Sequence, residues 1–162
     1  MLFRSVKYAD VSAKSWAANA IMIATNNKWM VGSGNNQFKP QNQITRAEFA
    51  QILMNLYKWE DVTGSNYTDV SGHWAEKAIT AAEKQGILAD FTDKTFNPNQ
   101  PITRLEVVRI FNDLLGRKPW NVKVAPKWTD VPVNHNYYTD IMEASTPHPF
   151  EQYKTGIEDW KN

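Results

Sequence analysis

The sequence repeats itself, and that repetition constrains the fold more than any other feature. A shift of 58 residues lays Trp16 on Trp74, Ala17 on Ala75, Ala20 on Ala78, Ile21 on Ile79 and Ala24 on Ala82. The same shift lays Phe38 on Phe96, Pro40 on Pro98 and Ile44-Thr45-Arg46 on Ile102-Thr103-Arg104, then Glu48 on Glu106, Ile52 on Ile110 and Leu56 on Leu114. A shift of 59 pairs Tyr8, Asp10, Val11 and Ser12 with Tyr67, Asp69, Val70 and Ser71, so the first copy holds one extra residue before Trp16. A third start appears at Trp128-Thr129-Asp130-Val131, followed by Ile141 and Ala144, and fades after about half a unit.

Each unit reads as helix, loop, helix. The first helix is expected to open near Trp16 and Trp74 after a capping serine. It should run through Ala20-Ile21-Ala24 and Ala78-Ile79-Ala82, ending by Gly32 and near Gly86. A polar loop then leads into Phe-x-Pro. The second helix carries Phe49, Ile52, Leu53, Leu56 and Tyr57, or Val107, Ile110, Phe111, Leu114 and Leu115, spaced as a core stripe. Gly116 should stop it. Residues 58–66 and 117–127 read as linkers, the latter extended by Pro119 and Pro126. The expected fold class is all-α, with repeat one at 1–57, repeat two at 67–116 and a partial third repeat at 128–162.

Composition removes several function classes. Eighteen Lys and Arg against 17 Asp and Glu give a net charge of +1, without the basic excess of a nucleic-acid binder. Cysteine is absent, which removes thiol nucleophiles, thiolate zinc sites and disulfides. His73, His135 and His148 show no metal-ligand spacing, no Gly-rich phosphate loop or nucleophile elbow occurs, and no cofactor is expected. No apolar run approaches the roughly 20 residues of a membrane span. Residues 1–8 lack the apolar core of a signal peptide, so an exported form would be processed or a fragment. Seven Trp exceed what a core of this size needs, and Trp suits stacking on a sugar ring.

Thr45-Arg46-Ala47-Glu48 and Thr103-Arg104-Leu105-Glu106 fit the capping box. The box explains Thr and Glu but not Arg, whose charge opposes the helix dipole in the first turn. An external anion between the Arg fork and the free amides of the helix start would account for it in both copies, the alternative being a solvated Arg paired with a nearby Asp.

Residues 67–79, with Gly86-Ile87, Phe96-Asn97-Pro98 and Ile102-Thr103-Arg104-x-Glu106, resemble the S-layer homology repeat. Copy one matches through Ala9-Asp10-Val11, Ser15-Trp16-Ala17, Phe38-Lys39-Pro40 and Ile44 to Glu48. The resemblance implies tandem repeats in a pseudo-threefold helical domain that attaches an exported protein to the bacterial cell wall. Its implied partner is a secondary cell wall polysaccharide bearing pyruvate, and its implied location is the extracellular wall or S-layer. Carried over, the glycan-binding residues are Arg46, Arg104, Trp16, Trp74, Asp10, Asp69, Gly32 and Ser33. Arg46 is expected to be the stronger site, because Gly32-Ser33-Gly34 admits a sugar where Asp90-Phe91 obstructs it. In copy three His135-Asn136-Tyr137-Tyr138 replaces the tryptophan motif, no Thr-Arg-x-Glu follows, and Pro147 and Pro149 break the helix. An enzyme and a protein–protein lattice module are the competing classes, and the capping role of Glu48 and Glu106 argues against a glycosidase pair.

Overall fold

The computed structural model describes residues 8–88, 91, 93–120, 122, 124–152 and 157–160. They form α1 (Ala18–Asn26), α2 (Arg46–Tyr57), α3 (Glu76–Lys84), α4 (Arg104–Leu114), β1 (Lys118–Trp120), α5 (Tyr138–Ser145), β2 (Phe150–Gln152) and β3 (Ile157–Trp160). The helical tandem repeat is therefore present. The chain divides into two compact units, Met1–Ile102 and Thr103–Asn162.

In the first unit α2 packs on α3, so the second helix of copy one meets the first helix of copy two. Their buried faces hold Ala47, Phe49, Ala50 and Leu53 from α2 and Ala78 to Ala82 from α3, beside Val70 and Phe96. Small residues on α3 let the two backbones approach, and Leu53 and Phe96 fill the remaining space. The stripe expected on α2 is narrower than its spacing implied: Ile52 and Leu56 are half-buried and Tyr57 is exposed. In copy two Ile110 is buried while Leu115 is exposed. Capping boxes start α2 and α4: Thr45 accepts from the Glu48 amide and Thr103 from that of Glu106, while both glutamates reach back. Left-handed Gly86 and Gly116, at φ +74° and +66°, follow the ends of α3 and α4.

The first helices begin later than the pattern implied, at Ala18 and Glu76, and α1 ends at Asn26 rather than near Gly32. The expected serine cap does not reach α1 itself: in copy one the Ala17 amide donates to Ser15 Oγ at 3.3 Å in the bend ahead of the helix. In copies two and three a histidine takes that place. His73 Nδ1 accepts from the Ala75 amide at 3.2 Å, and His135 Nδ1 from the Tyr137 amide at 3.1 Å.

In the second unit α4 packs on α5, repeating the arrangement with the abbreviated third copy. Val131, Tyr138 and Met142 form its buried cluster, against Val122, Val124 and Ile141. The Glu143 carboxylate is buried with Arg117 Nη1 at 3.2 Å and His148 Nε2 at 3.1 Å, so the charge is paired. One feature of the unit has no precursor in the helical repeat. A three-stranded sheet orders β1-β3-β2, with β1 parallel and β2 antiparallel to β3. Lys118 pairs with Ile157, and Phe150 with Trp160. Pro147 and Pro149, expected to break the helix, lie between α5 and β2, and Pro119, expected in extended chain, lies within β1.

Candidate functional site

The two Phe-x-Pro loops share one geometry. In copy one the Asp10 carboxylate accepts the amides of Phe38 and Lys39 at 2.9 and 2.7 Å. In copy two Asp69 accepts those of Phe96 and Asn97 at 2.8 and 2.7 Å. Lys39 and Asn97 both turn through the left-handed region, at φ 57° and 54°. Tyr8 leans on Phe38 with centroids 5.3 Å apart, and Tyr67 on Phe96 at 5.4 Å. The Phe38 amide, foremost among its hydrogen bonds, holds the Asp10 carboxyl below the usual value. Asp10 and Asp69 thus shape the loops; both are spent on backbone amides. Burial, followed by the Glu83 charge, pushes the Tyr67 hydroxyl up to about 12, so it stays protonated and donates to the Leu88 and Phe91 carbonyls.

The copy-two loop then closes the start of α2. The Arg46 amide donates to Gln100 O and the Ala47 amide to Pro98 O, both at 2.9 Å. Arg46 Nη1 donates to Phe96 O at 2.9 Å, and its guanidinium lies 4.8 Å from the Phe91 ring centre. A bridge pairs Thr45 with Pro101, and the Ile102 amide donates to Ile44 O. Two of the first-turn amides thought free for an anion are taken by carbonyls. Phe91 stands beside Arg46, the site it was expected to leave open.

Gly32 and Ser33 lie in the other loop, with Asp10. The Ser33 amide donates to Gln37 O at 2.8 Å, and a Cβ at Gly32 would meet Tyr8 Cε1 at 2.5 Å and Gln37 O at 2.6 Å. Their nearest neighbours come from their own copy, so Arg46 is served by the loop of the following copy and not by Gly32-Ser33-Gly34. Asp69 and Arg46 do meet, through Phe96, whose amide one accepts and whose carbonyl the other engages.

Arg104 differs from Arg46. Its side chain is exposed, and its amide and that of Leu105 have no partner among the described residues. Trp16 is 95% exposed and Trp74 62%, so neither fills core space; Trp74 leans on His73 at 5.5 Å. Of Asp90, expected to narrow the copy-two pocket, nothing is described. Among the described residues no cluster of His, Asp or Glu is arranged to hold a metal, and no helix is long and apolar enough to cross a membrane. Sequence reasoning did not foresee the contact of Phe91 with Arg46, the cap at His73, or the carbonyls of Phe96, Pro98 and Gln100. The alignment of His73 with Ser15 was a usable signal for the cap, but carbonyl positions leave none.

Comparison with known proteins agrees with this loop-and-helix geometry. The family model of the S-layer homology domain matches residues 7–50 and 66–108, more than half of the chain. The chain belongs to the S-layer homology domain family. It is 36% identical over 160 residues to a cellulosome-anchoring protein of Acetivibrio thermocellus, covering 95% of this chain and 36% of that protein. It is 31% identical over 128 residues to the surface-layer 125 kDa protein of Lysinibacillus sphaericus, covering 75% of this chain and 10% of that one. An endo-1,4-beta-xylanase A of Thermoanaerobacterium saccharolyticum matches at 35% over 111 residues, 67% of this chain and 9% of the enzyme. The chain spans about a third or less of the length of these relatives.

Proposed function

We propose that this chain is a non-catalytic anchoring module that holds an exported protein at the bacterial cell wall by binding an acidic, pyruvate-bearing secondary wall polysaccharide. Family membership and the names of an anchoring and a surface-layer relative support the anchoring role. One observation carries the ligand chemistry: α4 begins with a complete capping box, an exposed Arg104 and two amides without a partner among the described residues. A carboxylate on a sugar fits that combination of bidentate fork and helix-start donors. The exposed rings of Trp16 and Trp74 supply platforms for the sugar face.

In this reading Arg104 makes the stronger contact and Arg46 the weaker, since Arg46 already clamps a loop. Asp10, Asp69, Gly32 and Ser33 act by fixing loop shape. The pseudo-threefold arrangement of the repeats belongs to the same proposal. Pull-down on purified walls, on walls stripped of secondary polymer and on walls freed of pyruvate tests it. Binding should be lost on the second and weakened on the third, with no dependence on added metal. Retention on stripped walls would favour a protein–protein assembly module instead.

A further inference from the structure

Both helices of copy one close on the same pair of residues, Lys then Trp, where copy two has glycine in place of each lysine. Lys28 and Lys58 turn through the left-handed region at φ 59° and 54°, as the matching Gly86 and Gly116 do at 74° and 66°. Each turn ends its helix: the Trp29 amide donates to Ala24 O at 2.9 Å and the Trp59 amide to Met54 O at 3.1 Å. Glycine adopts this conformation without the steric cost that any other residue meets. A cation is welcome at a helix C-terminus, but every position of the last turn would serve it. Capping alone therefore does not call for lysine at the residue that glycine fills best.

A side-chain hydrogen bond joins the two corners. Asn55 Nδ2, one turn before Lys58, donates to Trp29 O at 3.3 Å, which sets the end of α1 beside the last turn of α2. Tyr57 and Trp59 stack, with centroids 5.5 Å and planes 15° apart. Tyr57 is 41% exposed, Trp29 and Trp59 are half-buried, and both lysines are exposed. Neither ammonium has a partner among the described residues. Of the two acids that follow Trp59, Asp61 is held by Lys77 and Glu60 is exposed. Copy two has none of this. Leu115, Gly116 and Arg117 replace Tyr57, Lys58 and Trp59, and Arg117 is committed to Glu143.

We infer that Tyr57-Lys58-Trp59, with Lys28-Trp29 beside it, is a second binding site, for an anionic sugar, made by copy one and by other residues than those at the start of α4. The stacked rings present an apolar face to the C–H face of a sugar. The two ammoniums meet its carboxylate or phosphate, and as point charges on flexible stems they accept either anion, unlike an arginine fork. A repeating acidic polymer could then be held at two places on one chain by avidity, and in that respect the inference rests on the proposed wall-binding role.

The test uses the full chain carrying Arg104→Ala, which silences the site proposed above. It reads the Trp29 and Trp59 indole N–H signals by NMR, assigned through Trp29→Phe and Trp59→Phe. The probes are tetragalacturonate for a carboxylate, mannose-6-phosphate for a phosphate and chitotetraose for a neutral sugar. One acidic probe or both should shift the two signals, and whichever binds identifies the anion. Chitotetraose should bind more weakly by about fivefold or better, because it forgoes two exposed ionic contacts. Joint replacement Lys28→Gly and Lys58→Gly should weaken the acidic probe by about the same factor. The urea midpoint should hold or rise, because glycine suits both turns. Two lysines that served only as caps would leave affinity unchanged. Unmoved indole signals with both acidic probes, equal binding of chitotetraose, or undiminished affinity in the double glycine variant overturns the inference. Arg104 takes no part in the measurement, so its failure is separate from failure of the wall-binding reading.

Discussion

Replacing Arg46 and Arg104 separately by Ala should give two different phenotypes, although the sequence presents them as equivalents. Arg46 donates to the part-buried Phe96 carbonyl at 2.9 Å and lies over Phe91. A hydrogen bond from a charged donor contributes about 1.5–3 kcal/mol, and this site's partial exposure places it near the lower end. The cation–ring contact adds about 0.5–1 kcal/mol at a half-exposed site. One guanidinium serves both, so their joint loss is about 2 kcal/mol rather than the full sum. For a chain of this size that lowers the melting temperature by roughly 4–8 °C. Arg104→Ala removes an exposed side chain and should stay within about 0.5 kcal/mol of the parent. Arg46→Lys should recover part of the loss, since it keeps the cation without the planar fork. Urea titration of the three variants measures the stability, and calorimetry with a pyruvylated oligosaccharide measures binding. Affinity should fall for Arg104→Ala without loss of stability, and stability should fall for Arg46→Ala. Equal melts for Arg46→Ala and the parent would refute the clamping role, and full affinity in Arg104→Ala would refute the ligand assignment.

Thr45→Ala and Thr103→Ala should each cost about 1 kcal/mol in urea melts, through loss of the observed caps. Gly32→Ala forces a methyl group against the Tyr8 ring and the Gln37 carbonyl and should destabilise by about 1–3 kcal/mol, with altered Tyr8 resonances in NMR spectra. Asp10 has a folded pKa below its ordinary 3.8, so its contribution is present above that value and lost as the pH falls through the lower folded one. Carboxyl NMR titration should locate Asp10 below 3.8, and Asp10→Asn should flatten the acid limb of the stability curve.

How much was legible follows from what kind of signal each feature leaves. The helices α2 and α4 were readable because a capping box and an apolar stripe are both local, and local rules survive tertiary packing. The starts of α1 and α3 were read two residues early, because the Ser15 and His73 side chains cap bent segments ahead of the first regular turn. The width of the core stripe was overread at Tyr57 and Leu115. A partner helix covers one narrow face, and periodicity alone cannot say how much of an apolar arc it covers. Strands β1 to β3 were missed because each is three or four residues long and β1 pairs with β3 far along the chain. Arg46 and Asp69 were both singled out, yet their connection through Phe96 was invisible, since a main-chain carbonyl has no letter in the sequence.

The offset between sequence repeat and structural contact has a functional consequence. The Thr-Arg-x-Glu helix of copy one is closed by the Phe-x-Pro loop of copy two, where Arg46 meets Phe96 and Gln100 and Ala47 meets Pro98. The properties of a site are therefore set by two copies, and changing a loop should alter the arginine of the copy before it. Copy three has lost its Phe-x-Pro loop and offers strands instead. That loss accounts for the contrast between the two arginines: the start of α2 is sealed by carbonyls, while Arg104 is exposed and the first two amides of α4 have no partner among the described residues. In the proposed wall-binding role, this contrast leaves the start of α4 for the polysaccharide anion, because no carbonyl of a described residue takes those amides.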